Sequence, residues 1–177
     1  MKHNYTGASL KELKEKYGIG SSGFYLQNWY KNEKFFIEKP KAGVYEIELG
    51  EDLVNLTYNE QLKKLKKGYK PIHPAILAET ILSHYARTKK RLLERIWVRT
   101  SNVVSDGDRV CVGDFDSRGL DVGSVSDGAR GDYLGLSSAR KLEIEPRSFG
   151  TFEELGLVER VLRLEQTVEK LTEIINK

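Results

Sequence analysis

The segment from Ser101 to Arg140 constrains this chain most, because it draws on a different set of amino acids from the rest. It holds seven of the eight aspartates, seven of the 16 glycines and the only cysteine. The chain has 18 Lys, 18 Glu, 3 Gln and 1 Met, yet none of these residues lies between Arg95 and Arg140. Soluble domains ordinarily use lysine and glutamate freely on their surfaces. The segment therefore answers to a constraint that the rest of the chain does not share.

The chain as a whole has the composition of an ordinary soluble domain. Its 177 residues suit one domain, or a domain with an appendage, and can bury a sizeable core. A net charge of +3, from 29 basic and 26 acidic residues well mixed, is too small and too dispersed to indicate nucleic acid or an anionic membrane as a partner. No signal peptide and no membrane-spanning run is recognisable. We therefore expect no membrane insertion, and a protein that is cytoplasmic or assembled into a particle.

Helical and strand-like patterns alternate along the first hundred residues, which predicts an α+β fold. Ser9 and Glu12 have the spacing of a capping box, which starts a helix. In the short helix at 58–65, Leu62 and Leu65 are expected to face inward. The expected helices are 10–17, 24–36, 58–65 and 75–93, and the expected strands are 43–49 and 95–100.

Within the unusual segment, apolar residues recur with a sparse, strand-like rhythm. The apolar positions are Val110, Val112, Phe115, Leu120, Val122, Leu134 and Leu136. Glycine-rich turns between them indicate short strands, so the small and polar residues in between are free to point outward. These outward positions are the candidate ligand-binding residues: Asp106, Asp108, Asp114, Asp116, Ser117, Arg118, Asp121, Ser124, Ser126, Asp127, Arg130, Asp132 and Tyr133.

The aspartates raise the question of a metal site. Asp114 and Asp116 stand at the first and third positions of an EF-hand-like loop, but Arg118 occupies the fifth position and Val125 the twelfth, where the loop needs oxygen ligands. No metal is therefore assigned. A calcium site of another kind, built from Asp106, Asp108 and Asp114, stays open.

Catalysis and cofactor binding have little support in the sequence. No two carboxylates stand in the unlike environments that acid–base catalysis requires. Cys111 has no neighbouring histidine to activate it, and one cysteine cannot form a redox or copper-binding pair. No phosphate-binding motif is present. We therefore expect a protein that is not an enzyme and has no cofactor.

An amphipathic pattern closes the chain. From Leu157 to Ile175, apolar residues recur at intervals of four and three, the heptad pattern of a coiled coil. This predicts a C-terminal helix at 151–177 and a homo-oligomer, dimer or trimer, formed through residues 155–177. The alternative is a helix that packs on its own domain at 1–150.

A second hypothesis is that the chain is a DNA-binding regulator. Residues 9–36 would form a helix-turn-helix, and the C-terminal helix would dimerise it. The second helix of this pair is rich in aromatic residues that belong in a core, whereas a groove-reading helix is polar and basic. Nucleic acid is therefore the less favoured partner.

Three stretches resemble a known family. They are Trp97-Val-Arg-Thr-Ser101, the run RVCVGDFDSRGLDVG at 109–123, and LGLSSAR at 134–140. Together they resemble the carboxy-terminal part of C-type lectin folds of the formylglycine-generating-enzyme type, as used by variable proteins of diversity-generating retroelements. In that family a template is copied with errors at adenine, and mutagenised Asn codons can become Asp, Gly, Ser, Arg or Tyr but never Lys, Glu, Gln or Met.

The resemblance implies a non-enzymatic binding protein associated with a phage, a virus or another retroelement host. Its lectin-like domain at 1–150 would hold the backbone fixed, while a hypervariable face at about 101–135 changes its ligand. The expected partner is a receptor protein or another surface ligand. Tyr, Arg, Asp and Ser supply the rigid contact area and adaptable hydrogen bonds that such faces use.

Overall fold

Two four-stranded sheets and four α-helices form the fold in a computed structural model that describes residues 1–143. The helices are α1 (Leu10–Tyr17), α2 (Lys34–Ile37), α3 (Tyr58–Lys63) and α4 (Pro74–Thr88). The strands are β1 (Lys2–Tyr5), β2 (Gly43–Glu48), β3 (Lys70–Pro71), β4 (Trp97–Val103), β5 (Arg109–Asp116), β6 (Gly119–Val125), β7 (Leu134–Leu136) and β8 (Ser138–Lys141). The predicted α+β class is confirmed for these residues. The predicted C-terminal helix at 151–177 lies outside the described residues.

The two sheets are joined through the short link between β7 and β8. Sheet one has the order β1-β2-β8-β3, and sheet two has the order β6-β5-β4-β7. All pairs are antiparallel except β4 with β7, which is parallel. Ser137, the one residue between β7 and β8, is fully buried and donates its backbone amide to the Arg99 carbonyl at 3.1 Å. The end of the unusual segment is thereby fixed to both sheets.

Helix α4 fills the core behind sheet two. Its buried residues include Leu77 and Ile81, which pack in one cluster with Val110 and Val112 of β5. His73 caps the helix by accepting a hydrogen bond from the Ala75 amide at 3.1 Å. The inner face of sheet two is therefore a conventional apolar core.

Within residues 1–143, no helix is both long and apolar enough to cross a membrane.

The capping box at Ser9 and Glu12 is confirmed, and both of its hydrogen bonds are present at the start of α1. The predicted helix at 24–36 is wrong. Phe24 instead forms a β-bridge with Leu120, and the rest of the stretch holds a 3-10 turn at Trp29–Asn32 and the four-residue α2. The aromatic side chains drive this region onto the edge of β6, and backbone pairing there replaces helical hydrogen bonds. The described residues therefore lack the second helix of a helix-turn-helix.

Helix α3 also differs from its prediction. Leu62 and Leu65 are only half-buried, whereas Gln61 is fully buried. Its side-chain amide donates to the carbonyls of Leu53 at 2.6 Å and Leu134 at 3.0 Å. A glutamine is buried here because its polar atoms are hydrogen-bonded.

Candidate ligand-binding surface

The outward face of sheet two, the side turned away from α4, is defined by the strand register. Directly opposed residues on neighbouring strands carry their side chains on the same face. The two central rows of this outward face are Arg99–Cys111–Gly123 and Trp97–Gly113–Asp121. The face therefore combines a buried cation, a tryptophan and two glycines.

Residues 126–133, called here the crossing segment, pass over this face. The segment leaves β6 at one edge of sheet two and enters β7 at the other edge. It contains five of the thirteen predicted binding residues: Ser126, Asp127, Arg130, Asp132 and Tyr133. Its conformation therefore decides where those side chains point.

Arg99 holds the crossing segment from below. The side chain is fully buried, at 0% exposure. Its Nη2 donates to the carbonyls of Ser126 at 3.2 Å and Ala129 at 2.7 Å, and its Nη1 donates to Gln61 Oε1 at 2.9 Å and to the Leu56 carbonyl at 3.3 Å. Burial lowers the pKa of this guanidinium. A buried arginine with several acceptors is held in one geometry, so it fixes the backbone above it.

Three further carbonyls of the crossing segment accept hydrogen bonds from the backbone of the scaffold. The amides of Tyr58, Asn55 and Trp97 donate to the carbonyls of Asp127, Gly131 and Tyr133 at 2.9, 2.8 and 2.8 Å. With the two carbonyls bound by Arg99, five of the eight carbonyls at 126–133 are bound to the scaffold. The segment is therefore fixed mainly through its main chain.

Two side chains of the crossing segment also contact the scaffold. Asp127 accepts a bidentate pair from Arg109, with Nε–Oδ1 at 3.0 Å and Nη2–Oδ2 at 2.9 Å. The Arg109 guanidinium lies over the Tyr58 ring, 4.0 Å from its centroid, and its pKa is raised mainly by the hydrogen bonds to Asp127. Arg130 donates to Glu60 at 2.8 Å and to the Asn55 carbonyl at 3.0 Å. Asp127 therefore has a structural partner, and Arg130 is tied more loosely because it is exposed.

The other predicted side chains fall into two classes. Five of them are exposed and make no side-chain hydrogen bond or ion pair with residues 1–143. These five, called here the free set, are Ser117, Ser124, Ser126, Asp132 and Tyr133. Tyr133 is the largest of them, with 55% of its surface exposed. These side chains can change without removing a hydrogen bond or an ion pair to the scaffold.

The β5–β6 hairpin carries predicted residues that bind one another. The Asp116 carboxylate accepts hydrogen bonds from the Arg118 backbone amide at 2.7 Å and from the Arg118 Nε at 2.8 Å. The hydrogen bond from the backbone amide lowers the pKa of Asp116. Arg118 also lies 3.5 Å from Asp114 and 5.2 Å from the centre of the Tyr25 ring. This pair closes the hairpin and leaves the guanidinium at the surface.

Asp121 ties β6 to the region before α2. Its carboxylate accepts a hydrogen bond from the Gln27 side chain and from the Val122 amide. Burial raises the pKa of this carboxyl. The Trp29 indole donates to the Val122 carbonyl at 3.0 Å, beside Gln27. Asp121 is therefore a bracing residue as well as a predicted binding residue.

The remaining aspartates lie at the far end of the strands. The carboxylate of Asp106 accepts from the Asp108 amide at 3.1 Å and closes the β4–β5 turn. Asp114 lies near the opposite end of β5, so the open calcium site from Asp106, Asp108 and Asp114 is not assembled. Within residues 1–143, no group of three or more His, Cys, Asp or Glu side chains is placed to hold a metal ion.

A pocket of about 360 Å³ opens between the crossing segment and β6. Trp97 and Tyr133 line it together with Cys111, Gly123, Ser124, Val125 and Leu134. A Cβ on Gly123 would lie 3.0 Å from the Trp97 ring, so glycine allows the indole to rest against β6. The pocket is mostly apolar and has exposed polar groups at its rim, which is the usual composition of a binding site.

Sequence reasoning missed Trp97 and Arg99 as parts of this site. The alternation in β4 contained the signal, because Val98 packs inward and its neighbours on both sides must then face outward. The burial of Arg99 could not be read from the pattern, since it depends on the crossing segment above it. Cys111 forms the floor of the pocket, and burial raises its pKa to about 12.

Comparison with family models, curated proteins and solved structures found no match to this chain. The function must therefore be inferred from the geometry of sheet two and from the composition of the segment that forms it.

Proposed function

We propose that this chain is a non-enzymatic binding protein. It displays a hypervariable ligand-binding face, at about residues 101–135, on a C-type lectin-like scaffold, and a diversity-generating retroelement changes that face. The observation that carries the proposal is the attachment of the crossing segment through five of its eight carbonyls. Every amino acid has a backbone carbonyl, so this attachment survives a change of side chain.

The free set supports the same function. Ser117, Ser124, Ser126, Asp132 and Tyr133 project from a backbone that other residues hold. A fixed backbone with changeable side chains loses little conformational entropy on binding, whichever side chains it carries. The absence of Lys, Glu, Gln and Met from Arg95 to Arg140 fits the residues that adenine mutagenesis can produce.

The pocket indicates how a ligand binds. Trp97 belongs to the framework, and Tyr133 belongs to the free set, so the pocket has one constant and one changeable aromatic wall. Aromatic side chains in a desolvated pocket contribute most of the energy of many protein interfaces. We propose that the partner is a surface protein or another surface ligand that places an apolar group here, with polar contacts from the exposed Ser126 and Asp132 of the crossing segment.

Sequencing many copies of the gene from its source population tests this proposal. Variation is expected at the free set. Arg99 and Trp97 should be constant, and Asp127 should change only to residues that can still accept a hydrogen bond from Arg109. The neighbouring DNA should encode a reverse transcriptase and a near-copy of the segment for 101–140. Uniform variation across 101–140 would contradict a fixed scaffold with a variable face. Absence of the near-copy would contradict diversification by a retroelement.

A further inference from the structure

A second recess lies between α1 and the region that precedes α2, and it shares no lining residue with the pocket of sheet two. It has a volume of about 480 Å³ and is called here the basic groove. Its lining combines aliphatic and lysine side chains: Ile19, Leu26, Phe36, Ile37, Lys11, Lys14 and Lys31, together with Glu15 and Asn28. None of these residues belongs to the proposed binding face.

The apolar lining is unusually open to solvent. Leu26 is 69% exposed, Ile37 is 63% exposed and Ile19 is 48% exposed, and the first two are the most exposed large hydrophobic residues in the described part of the chain. Single exposed hydrophobic residues need no explanation, but several that line one recess mark an interaction surface.

The groove is formed before any partner binds. Lys14, on α1, donates its ammonium group to the Tyr30 hydroxyl at 3.1 Å and to the Gln27 carbonyl, across the base of the recess. Tyr30 is fully buried and packs against Phe36, with 5.4 Å between ring centroids. The two walls are thereby held together, so little ordering is needed on binding.

The charge of the groove selects the partner. Three lysines and one glutamate give its lining a net charge of +2. Lys14 is turned inward, while Lys11 and Lys31 are exposed and form no ion pair with residues 1–143. Complementary charge then requires Asp or Glu on the partner, at the rim of an aliphatic contact.

We propose that the basic groove docks an acidic amphipathic helix of a partner protein. Aliphatic side chains at i, i+3 and i+4 fill the recess between Ile19, Leu26 and Ile37, and flanking carboxylates face Lys11 and Lys31. A flat bilayer cannot fill a recess of this volume. A small molecule needs walls that enclose most of its surface, whereas these aliphatic side chains are between 48% and 69% exposed.

The test uses the full chain and two labelled synthetic peptides of about 17 residues, long enough to form a helix when bound. One peptide has leucines at i, i+3, i+4 and i+7 with glutamates elsewhere, and the other replaces every glutamate with lysine. Fluorescence anisotropy at low salt measures binding. The acidic peptide is expected to bind, and the basic peptide to bind at least about tenfold more weakly.

Variants make the location testable. Leu26→Asp with Ile37→Asp should weaken binding of the acidic peptide by at least about tenfold, while Val103→Asp, at a half-exposed site outside the groove, should leave binding unchanged. Lys11→Glu with Lys31→Glu should reverse the preference toward the basic peptide.

Several outcomes overturn the proposal. Equal binding of both peptides, no binding at all, or unchanged binding by the Leu26 and Ile37 variant would each do so. Binding of phosphatidylglycerol vesicles through the same residues, without peptide binding, would assign the groove to a membrane. Self-association lost in Ile37→Asp, seen by sedimentation, would assign it to a second copy. None of these outcomes bears on the proposed function of sheet two.

Discussion

Arg99 is the residue on which the geometry of the outward face most depends. Its guanidinium joins β4 to the crossing segment through two main-chain carbonyls and to α3 through Gln61. Arginine is suited to this position because its planar donors stay charged and point in fixed directions. Its contacts with the crossing segment are with main-chain carbonyls, which every residue possesses.

Replacing Arg99 with Met should destabilise the protein by about 3 kcal/mol or more, because buried acceptors on Gln61, Ser126 and Ala129 would lose their donor. Urea unfolding followed by circular dichroism measures this change. Arg130→Met is the matched control, since Arg130 is exposed and its pair with Glu60 should contribute less than about 1 kcal/mol. Equal losses in the two variants would contradict the role given to Arg99.

Cys111 gives a prediction about reactivity. Burial raises the pKa of its thiol to about 12 from an ordinary value of 9.0. At pH 8 only roughly one thiol in ten thousand is then ionised, so a disulfide reagent should modify the native protein far more slowly than the urea-unfolded chain. Rapid modification of the native protein would show that the floor of the pocket is open.

The same thiol contributes to alkaline instability. Because its pKa is higher in the folded state than in the unfolded state, its stabilising contribution is complete below pH 9 and is lost as the pH rises toward 12. The buried hydroxyls of Tyr5 and Tyr30 have raised pKa values and act in the same direction. Urea midpoints should therefore fall above pH 9, and less steeply in Cys111→Ala. A flat profile would contradict this burial.

At the scale of elements, β7 is held close to the chain that precedes α3. A Cβ on Gly135 would lie 2.2 Å from the Gly50 carbonyl oxygen, so Gly135→Ala should cost about 2 kcal/mol or more. Gly128, in the crossing segment, has open space, and a Cβ there would meet only Ser126 Oγ at 3.8 Å. Thermal unfolding should show Gly128→Ala within about 0.5 kcal/mol of the parent. A large loss at Gly128 would mean that the crossing segment is packed more tightly than described.

Elements with strong local signals were predictable from the sequence. The capping box at Ser9 located α1, and the alternation around Val110 and Val112 located β5. The region 24–36 was not predictable, because Phe24 pairs with Leu120, almost a hundred residues away. The burial of Gln61 was not predictable for the same reason, since it depends on hydrogen bonds with Arg99 and Leu134. Local patterns do not record partners that only the fold brings together.

The candidate site was predictable in outline and not in detail. Composition alone located the segment, and the strand rhythm separated framework from surface residues. The sequence pattern could not show that Asp127 binds Arg109 or that Asp121 binds Gln27, because these contacts join different elements of the fold. It also could not show that the crossing segment is bound through carbonyls, which leave no trace in a sequence.

At the scale of the whole molecule, the chain separates two surfaces with different residue sets. The outward face of sheet two and its crossing segment contain no lysine or glutamate, whereas the basic groove is rimmed by lysines. The proposed docking surface and the proposed variable surface therefore share no residue, and one can change without altering the lining of the other.

The most direct test of the changeable surface is a library that randomises Ser117, Ser124, Ser126, Asp132 and Tyr133 together. Members are displayed, challenged with protease and sequenced to find those that remain folded. Because a scaffold-bound main chain holds these positions, most members should resist protease as well as the parent does, with no preference for the parental residues. Survivors confined to the parental residues at these five positions would contradict a fixed scaffold with interchangeable side chains.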